Sequence, residues 1–433
     1  MKNLSRRQFL KALSAGSLVT LSGISPNSWG ANARVVIVGG GTGGATAAKY
    51  LKKADPSIQV TLIEKNPRYY TCYMSNEVLG GERTLDSLSF GYNGLSSKYG
   101  INIVHDEVIA INANSKSIST ASGATIAYDR CIVSPGIDFR YDLIQGYDAT
   151  IAETTIHHAW KAGTQTTGLR QQLEAMPDGG TFVMAAPPNP YRCPPAPYER
   201  ASQVAHYFKK HKPASKVLIL DPKSGFAKQA LFEEGWMDLY GYGTDNSMIE
   251  WVSGTDNLAS AVDVANKTVT TVGGSIVNAD VLNIIPAQKA GKIAFSTGLT
   301  DDSGWCPIKP NSFESTLHAN IHVIGDSSNS SPLPKSGFAA NSEAKACALA
   351  IAALLNGHEP TQTSFINGCY SIVGDDYAIS IVAIYQLSKD GTAIEKIANA
   401  GGTSPLAAGD DERKVDVQYA YSWYNNFTRD VFY

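Results

Sequence analysis

Apolar residues in this chain fall into short runs separated by glycine- and proline-rich turns, with helical spacing in the stretches between them. Residues 35–38 (VVIV) are an uninterrupted β-branched run, the composition of a parallel strand buried on both faces rather than of a half-exposed one. Residues 45–52 follow as a helix and 59–63 as a second strand, and further strands are predicted at 101–104, 117–120 and 128–134, the last closing on the turn Pro135-Gly136-Ile137. Near residue 150 the cycle restarts. A strand at 181–184, a helix at 198–209 and a strand at 216–220 have the length of a second βαβ unit. Residues 321–324 run as a strand into Gly325-Asp326, a helix is expected over 336–355, and alternating apolar strands such as 377–385 lead to the aromatic run YAYSWY at 419–424, read as carrying no amphipathic helix for membrane attachment.

This alternation predicts an α/β fold with two Rossmann-like, dinucleotide-binding-type domains and a C-terminal α+β domain. The first domain is expected to be discontinuous, over 34–146 and 288–359, with the second over 147–287 and the third over 360–433. Between the first strand and its helix, Gly39, Gly41 and Gly44 stand at G-x-G-x-x-G spacing, and the second strand ends at Glu64, about 20 residues farther on. The first glycine turns the chain, the second lets backbone approach a pyrophosphate, the third lets helix pack on strand, and an acid at Glu64 accepts from ribose hydroxyls. The repeat lacks this device. Its corresponding loop holds Pro187, Pro188, Pro190, Pro194, Pro195 and Pro197, which remove backbone donors and fix φ, so the second domain is expected to have the shape of a nicotinamide module without using one. That loop instead presents Cys193, with Glu199 six residues on, either as a proton acceptor for whatever reacts at the thiol or as an acid serving the helix dipole.

At 433 residues, 43% hydrophobic and 17% charged, the composition is ordinary for a globular chain of two or three domains. The first 33 residues read separately: Arg6-Arg7 precede a short apolar stretch and small residues near Ala31-Asn32-Ala33, the pattern of a twin-arginine export signal, and no run of eighteen apolar residues follows. The expectation is a periplasmic protein exported folded, with its cofactor already aboard. The formal net charge of −3 becomes more acidic without Lys2, Arg6, Arg7 and Lys11, which argues against a nucleic-acid partner. Six cysteines occur, none in C-x-x-C or C-x-x-C-H, so neither zinc spacing nor c-type haem attachment is present, and any haem must come from another polypeptide. Cys131, Cys306 and Cys347 read as packing residues and Cys72 as a loop thiol, while His157, His158 and His206 show no metal-ligand pattern.

The blocks VVIVGGGTGGATAAKYL, YYTCYMSNEVLGG, RCPPAPYERASQVAHYFK, NIHVIGDSS, KSGFAANSEAKACALAIAALLNG and NGCYSI with YAYSWYNN resemble the flavoprotein subunit of flavocytochrome c sulfide dehydrogenase, within the glutathione-reductase-like flavoproteins, over essentially all of the chain past the leader. The resemblance implies FAD, its ADP half bound by Gly39, Gly41, Gly44 and Glu64, its ribityl chain by Asp326, its 8α-methyl carbon joined to Cys72 by a thioether, and Trp423 near the flavin. It implies a redox-active disulfide of Cys193 with Cys369, Glu199 as catalytic base, inorganic sulfide as substrate, and a cytochrome c subunit, monohaem or dihaem, as electron acceptor, with no haem in this chain and no membrane insertion. A sulfide:quinone reductase shares this scaffold and is the first alternative. A flavin-bearing relay subunit without sulfur chemistry is the second, and an NADH-dependent disulfide reductase fits least because the second glycine loop is missing.

Overall fold

The computed structural model describes residues 33–361 and 363–433, so the proposed export signal lies almost entirely outside the described residues. The apolar run forms Arg34–Val38, the middle strand of a five-stranded parallel sheet ordered Ile321–Val323, Arg130–Val133, Arg34–Val38, Gln59–Ile63, Asn102–Val104. Val38 stands in register with Ile63 on one side and Val133 on the other. Continuous burial from Val35 to Val38 is what this central place requires, since helices cover both faces of such a sheet. Helix Thr42–Ala54 starts directly from the glycine turn and packs against helix Gly337–Leu355. The latter is long and apolar enough to cross a bilayer, yet most of it is buried in the protein, as a core helix is. The last strand of the sheet, Ile321–Val323, comes from far down the chain and pairs with Arg130–Val133.

A second parallel sheet, ordered Ile249–Ser253, Lys216–Asp221, Thr181–Ala185, Val281–Ile284, repeats the plan with helix Ala196–His211 following its first strand. Each parallel sheet has a three-stranded antiparallel meander beside it in sequence, Val108–Asn112 to Thr125–Ala127 and Ala259–Asp263 to Ile276–Asn278. Ile137–Phe139 pairs antiparallel with Gln288–Ala290 where the chain leaves the first unit and returns to it.

The C-terminal part is an antiparallel sheet, Ser364–Gly374, Tyr377–Leu387 and Ile394–Thr403, covered by helix Asp410–Phe432. This helix corrects the reading of the aromatic run. Val417, Ala420, Tyr424, Phe427 and Val431 recur at three- and four-residue intervals and are buried, with Asp410, Asp411 and Glu412 in the first turn and Arg429 in the last. Aromatic residues of modest helix propensity obscure the period, but the face is amphipathic, and the interior of the protein takes up its apolar side.

Candidate active site

The glycine turn behaves as its spacing predicts. Gly39 takes φ +99°, and a Cβ on Gly44 would land on the Gly39 carbonyl oxygen, so helix and strand meet there at a distance only glycine allows. A Cβ on Gly41 would approach the Tyr69 ring to 3.3 Å. Glu64 sits beside the turn: its Oε2 accepts from the Gly40 N–H at 2.8 Å and its Oε1 from the Asn66 N–H at 2.9 Å. No acidic residue occupies the first turn of Thr42–Ala54, so the amide end of that helix stays positive.

Cys72, Cys193, Glu199, Cys369 and Trp423 all line one cleft. The glycine turn and Glu64 are not part of this lining, but Tyr73 reaches from it to the start of the glycine helix, its hydroxyl 3.3 Å from Thr42 Oγ1.

Cys193 comes from the proline-rich loop and holds φ +58°, a left-handed conformation that non-glycine residues rarely adopt and that clusters at functional sites. Its N–H donates to the Lys335 carbonyl at 2.8 Å, and its own carbonyl accepts from Ala196 N–H at 2.9 Å as the helix begins. Cys369 comes from strand Ser364–Gly374, where alternation puts Asn367, Cys369 and Ser371 on one face. Helix Ala196–His211 brings the two together by packing on that strand: Gln203 Nε2 donates to the Ile372 carbonyl at 2.9 Å, and the Ile372 N–H donates to Glu199 Oε1 at 3.3 Å. Both cysteines are free thiols here, hydrogen-bonded to each other. That hydrogen bond, with the charge of Lys228 after it, pulls Cys369 down to about 6, while the same bond and burial push Cys193 well up.

Glu199 is fully enclosed. Burial first, and then the negative charge of Cys369, push its carboxyl up to about 8. Oε2 accepts from Asn76 Nδ2 at 3.4 Å. Glu199 stands both in the first turn of its helix, as the dipole reading expects, and in the cleft with the two thiols, as a proton acceptor would.

Asp326 is not part of the cleft lining, but its Oδ2 stands 4.0 Å from the guanidinium of Arg192, which is, and its buried Oδ1 has no hydrogen-bond partner. Trp423 Nε1 is likewise buried and unpartnered, with the indole stacked on Phe427 at 4.9 Å. Buried polar atoms are nearly always satisfied, so two orphans beside this cleft fit a polar group held there. With the glycine turn, the residues present fit a dinucleotide-sized ligand.

The other thiols and imidazoles divide as follows. Cys131, Cys306 and Cys347 are buried in the core, where burial pushes each thiol up. His157 and His158 are satisfied core residues, His158 held down to about 3 by burial. The expectation for His206 needs correction, since the fold gathers Glu82, His206 and Asp375 into one cluster. Lys210 Nζ already contacts Glu82 at 2.9 Å and Asp375 at 3.0 Å there, which makes it an ion-pair network.

Residue-by-residue reading missed several members of the site. Arg200 is fully buried and anchors the helix that carries Glu199, donating to the His158 carbonyl at 2.6 Å, the Ala159 carbonyl at 2.7 Å and Asn283 Oδ1 at 2.9 Å. Arg192, next to Cys193 in the proline loop, could have been found by that adjacency. Lys228 belongs to no motif.

Comparison with known proteins gives the family. The family model for the central part of the sulfide dehydrogenase [flavocytochrome c] flavoprotein chain matches residues 166–286, that for the flavocytochrome c sulphide dehydrogenase flavin-binding part matches 361–432, and that for pyridine nucleotide-disulphide oxidoreductases matches 33–175. The sulfide dehydrogenase [flavocytochrome c] flavoprotein chain of Chlorobaculum thiosulfatiphilum is 62% identical over 45 residues, which are 94% of that sequence and 10% of this chain. The chain belongs to this family of flavoprotein chains. Members of a neighbouring group are also similar: the mitochondrial sulfide:quinone oxidoreductase of Mus musculus is 23% identical over 71% of this chain and 67% of its own. Among solved structures, the sulfide:quinone oxidoreductase of Aquifex aeolicus superposes with a TM-score of 0.69 at 18% identity, covering 92% of both chains, and a putidaredoxin reductase in complex with putidaredoxin at 0.61 and 18%, covering 90% of this chain and 94% of its own. These two likenesses establish the fold of this chain.

Proposed function

We propose that this chain is the FAD-bearing catalytic subunit of a periplasmic sulfide dehydrogenase, exported by the twin-arginine route, that oxidises hydrosulfide to sulfur or polysulfide and passes the electrons to a separate cytochrome c subunit. The observation that carries it is the meeting of Cys193, Cys369 and a buried Glu199 in one cleft beside Cys72. FAD, when bound, supplies a two-electron acceptor able to release its electrons singly to haem. Gly39, Gly41, Gly44 and Glu64 would hold its ADP half, the orphan Oδ1 of Asp326 its ribityl chain, Trp423 its ring, and Cys72 a thioether.

The chain's own chemistry is disulfide exchange. In the oxidised enzyme Cys193 and Cys369 form a disulfide; hydrosulfide, a soft anion, attacks one sulfur and expels the other, leaving a persulfide and a thiolate with the electron pair. Glu199 takes up the proton that the sulfur species sheds. Its elevated value suits that role near neutral pH.

Mixing anaerobic protein with sulfide in a stopped-flow cell tests the proposal: the flavin band bleaches, and reoxidation is faster by cytochrome c than by decylubiquinone. Unbleached flavin leaves only a relay subunit, and faster turnover with the quinone moves the chain to the reading its quinone-linked relatives favour.

Two further outcomes follow from individual residues. After acid denaturation the yellow colour stays with the polypeptide, and Cys72→Ser releases free FAD into the supernatant; free FAD from the unsubstituted protein excludes the thioether. For Glu199, a base with a value near 8 is active when deprotonated, so the bleaching rate climbs as pH rises through that region, whereas Glu199→Gln loses the climb and about 10²-fold or more in rate. An unchanged profile in the Gln variant removes Glu199 from proton transfer.

A further inference from the structure

Lys228 stands at the start of helix Gln229–Tyr240 with φ +63°, and its side chain is almost wholly buried behind Cys369. Its Nζ lies 4.0 Å from Cys369 Sγ and donates to Ser371 Oγ at 2.8 Å, so strand Ser364–Gly374 presents both groups to the ammonium from the face that also carries the thiol. The Phe232 ring centroid is 5.5 Å away. Among the described residues Lys228 makes no ion pair with a carboxylate, although a buried ammonium is costly unless an anion compensates it. Glu199, whose carboxyl feels the charge of Lys228, is itself pushed toward its neutral form by burial. A thiolate on Cys369 is the remaining anion. Cys193 has no such ammonium within hydrogen-bond reach among the described residues.

We propose that Lys228 is the cation that holds Cys369 as a thiolate, and that it thereby directs hydrosulfide onto the Cys193 sulfur. This rests on the disulfide chemistry proposed above. In exchange, the better-stabilised thiolate is the better leaving group. The bond from hydrosulfide sulfur to Cys193 Sγ forms as the Cys193–Cys369 bond breaks; the bonding pair departs with Cys369, the hydrosulfide sulfur is oxidised, the disulfide is reduced, and the proton stays on the terminal persulfide sulfur through this step, to pass to Glu199 afterwards. One negative charge enters and one remains, now paired with Lys228. Cys369 ends as the electron-rich group and Cys193 as the sulfur carrier.

The test is the pH dependence of iodoacetamide alkylation of the reduced holoprotein, read at each cysteine by mass spectrometry. The groups facing Cys369 are Cys193 from the loop, Glu199 from helix Ala196–His211 and Lys228, with Ser371 and Tyr370 on its own strand and Cys72 in the same cleft. In the unsubstituted protein Cys369 is labelled ahead of Cys193, with an inflection near pH 6. In Lys228→Met the inflection moves up by about one unit or more, roughly a tenfold slower reaction at the acid end, and Lys228→Arg restores it. Lys228→Gln, which keeps a donor for Ser371 without the charge, behaves like the Met variant and serves if Lys228→Met fails to fold. Preferential labelling of Cys193, or a neutral variant with normal flavin content and an unmoved inflection, overturns the proposal. Sulfide bleaching of the unsubstituted protein is scored separately: if it fails while the inflection shifts, the sulfide function falls and the Lys228–Cys369 pair stands.

Discussion

Cys369→Ser abolishes sulfide-dependent reduction of the flavin, with a loss of about 10³-fold or more in the bleaching rate, while the flavin content and the visible spectrum of the resting protein remain. Serine is close in size to cysteine and fits the partly buried position on strand Ser364–Gly374, so the fold has no reason to fail. What disappears, on the proposed exchange, is the sulfur that would close the disulfide and then leave as thiolate. Cys193→Ser gives a loss of the same size, and the double variant loses no more than either single one, because two residues that act as one unit do not contribute additively. The strained backbone at Cys193 is retained in its serine variant, since the loop is held by the Lys335 carbonyl and by the start of helix Ala196–His211. Sulfide bleaching at an undiminished rate in either variant rejects disulfide exchange as the route by which sulfide reduces the flavin.

The second large effect is at the other end of the ligand. Gly44→Ala yields a protein that does not acquire flavin and melts well below the unsubstituted one. The added methyl would occupy the Gly39 carbonyl oxygen, a main-chain atom that cannot move without lifting helix Thr42–Ala54 from strand Arg34–Val38. Overpacking of this kind costs about 3 kcal/mol, the upper end of what inserted methyl groups usually cost in a packed interior. The same displacement removes the helix amides from the pyrophosphate position. Flavin content per chain and a thermal melt check it together. Full flavin loading at an unchanged melting temperature means that the turn does not hold the cofactor. By contrast, alanine at Gly100, whose added Cβ meets nothing within 4 Å, changes neither flavin content nor activity; only its left-handed backbone exacts a cost.

The candidate cleft draws on segments with very different sequence signatures. Cys193 announces itself: a thiol amid prolines where a repeat would place glycines is an anomaly visible in ten residues. Cys369 does not. Nothing in the apolar alternation of its strand marks it as a partner, and only the resemblance to flavocytochrome c sulfide dehydrogenase flavoproteins pairs it with Cys193. Glu199 lies between these cases: the sequence places it in the first turn of its helix, and the fold adds its burial against Asn76 and Ile372, on which the proposed role as base rests. Helix Asp410–Phe432 shows the opposite failure, a period present in the sequence but hidden by a cluster of aromatic side chains.

Local features are those that the order of residues settles unaided: the buried strand at 35–38, the turn at Gly39, Gly41 and Gly44, Glu64 one strand farther on, and a repeat whose prolines forbid a second such turn. Each depends on φ/ψ limits, strand burial or hydrogen-bond donors within a few tens of residues, and these are properties of the residues themselves. Long-range packing supplied the rest: it set Cys369 against Cys193, enclosed Glu199 until burial raised it, brought Lys228 behind the thiol, and drew Glu82, His206 and Asp375 around Lys210. Such neighbours share no sequence interval. The charge state of each is decided by the desolvation and the ions it meets, and neither exists before the chain has folded.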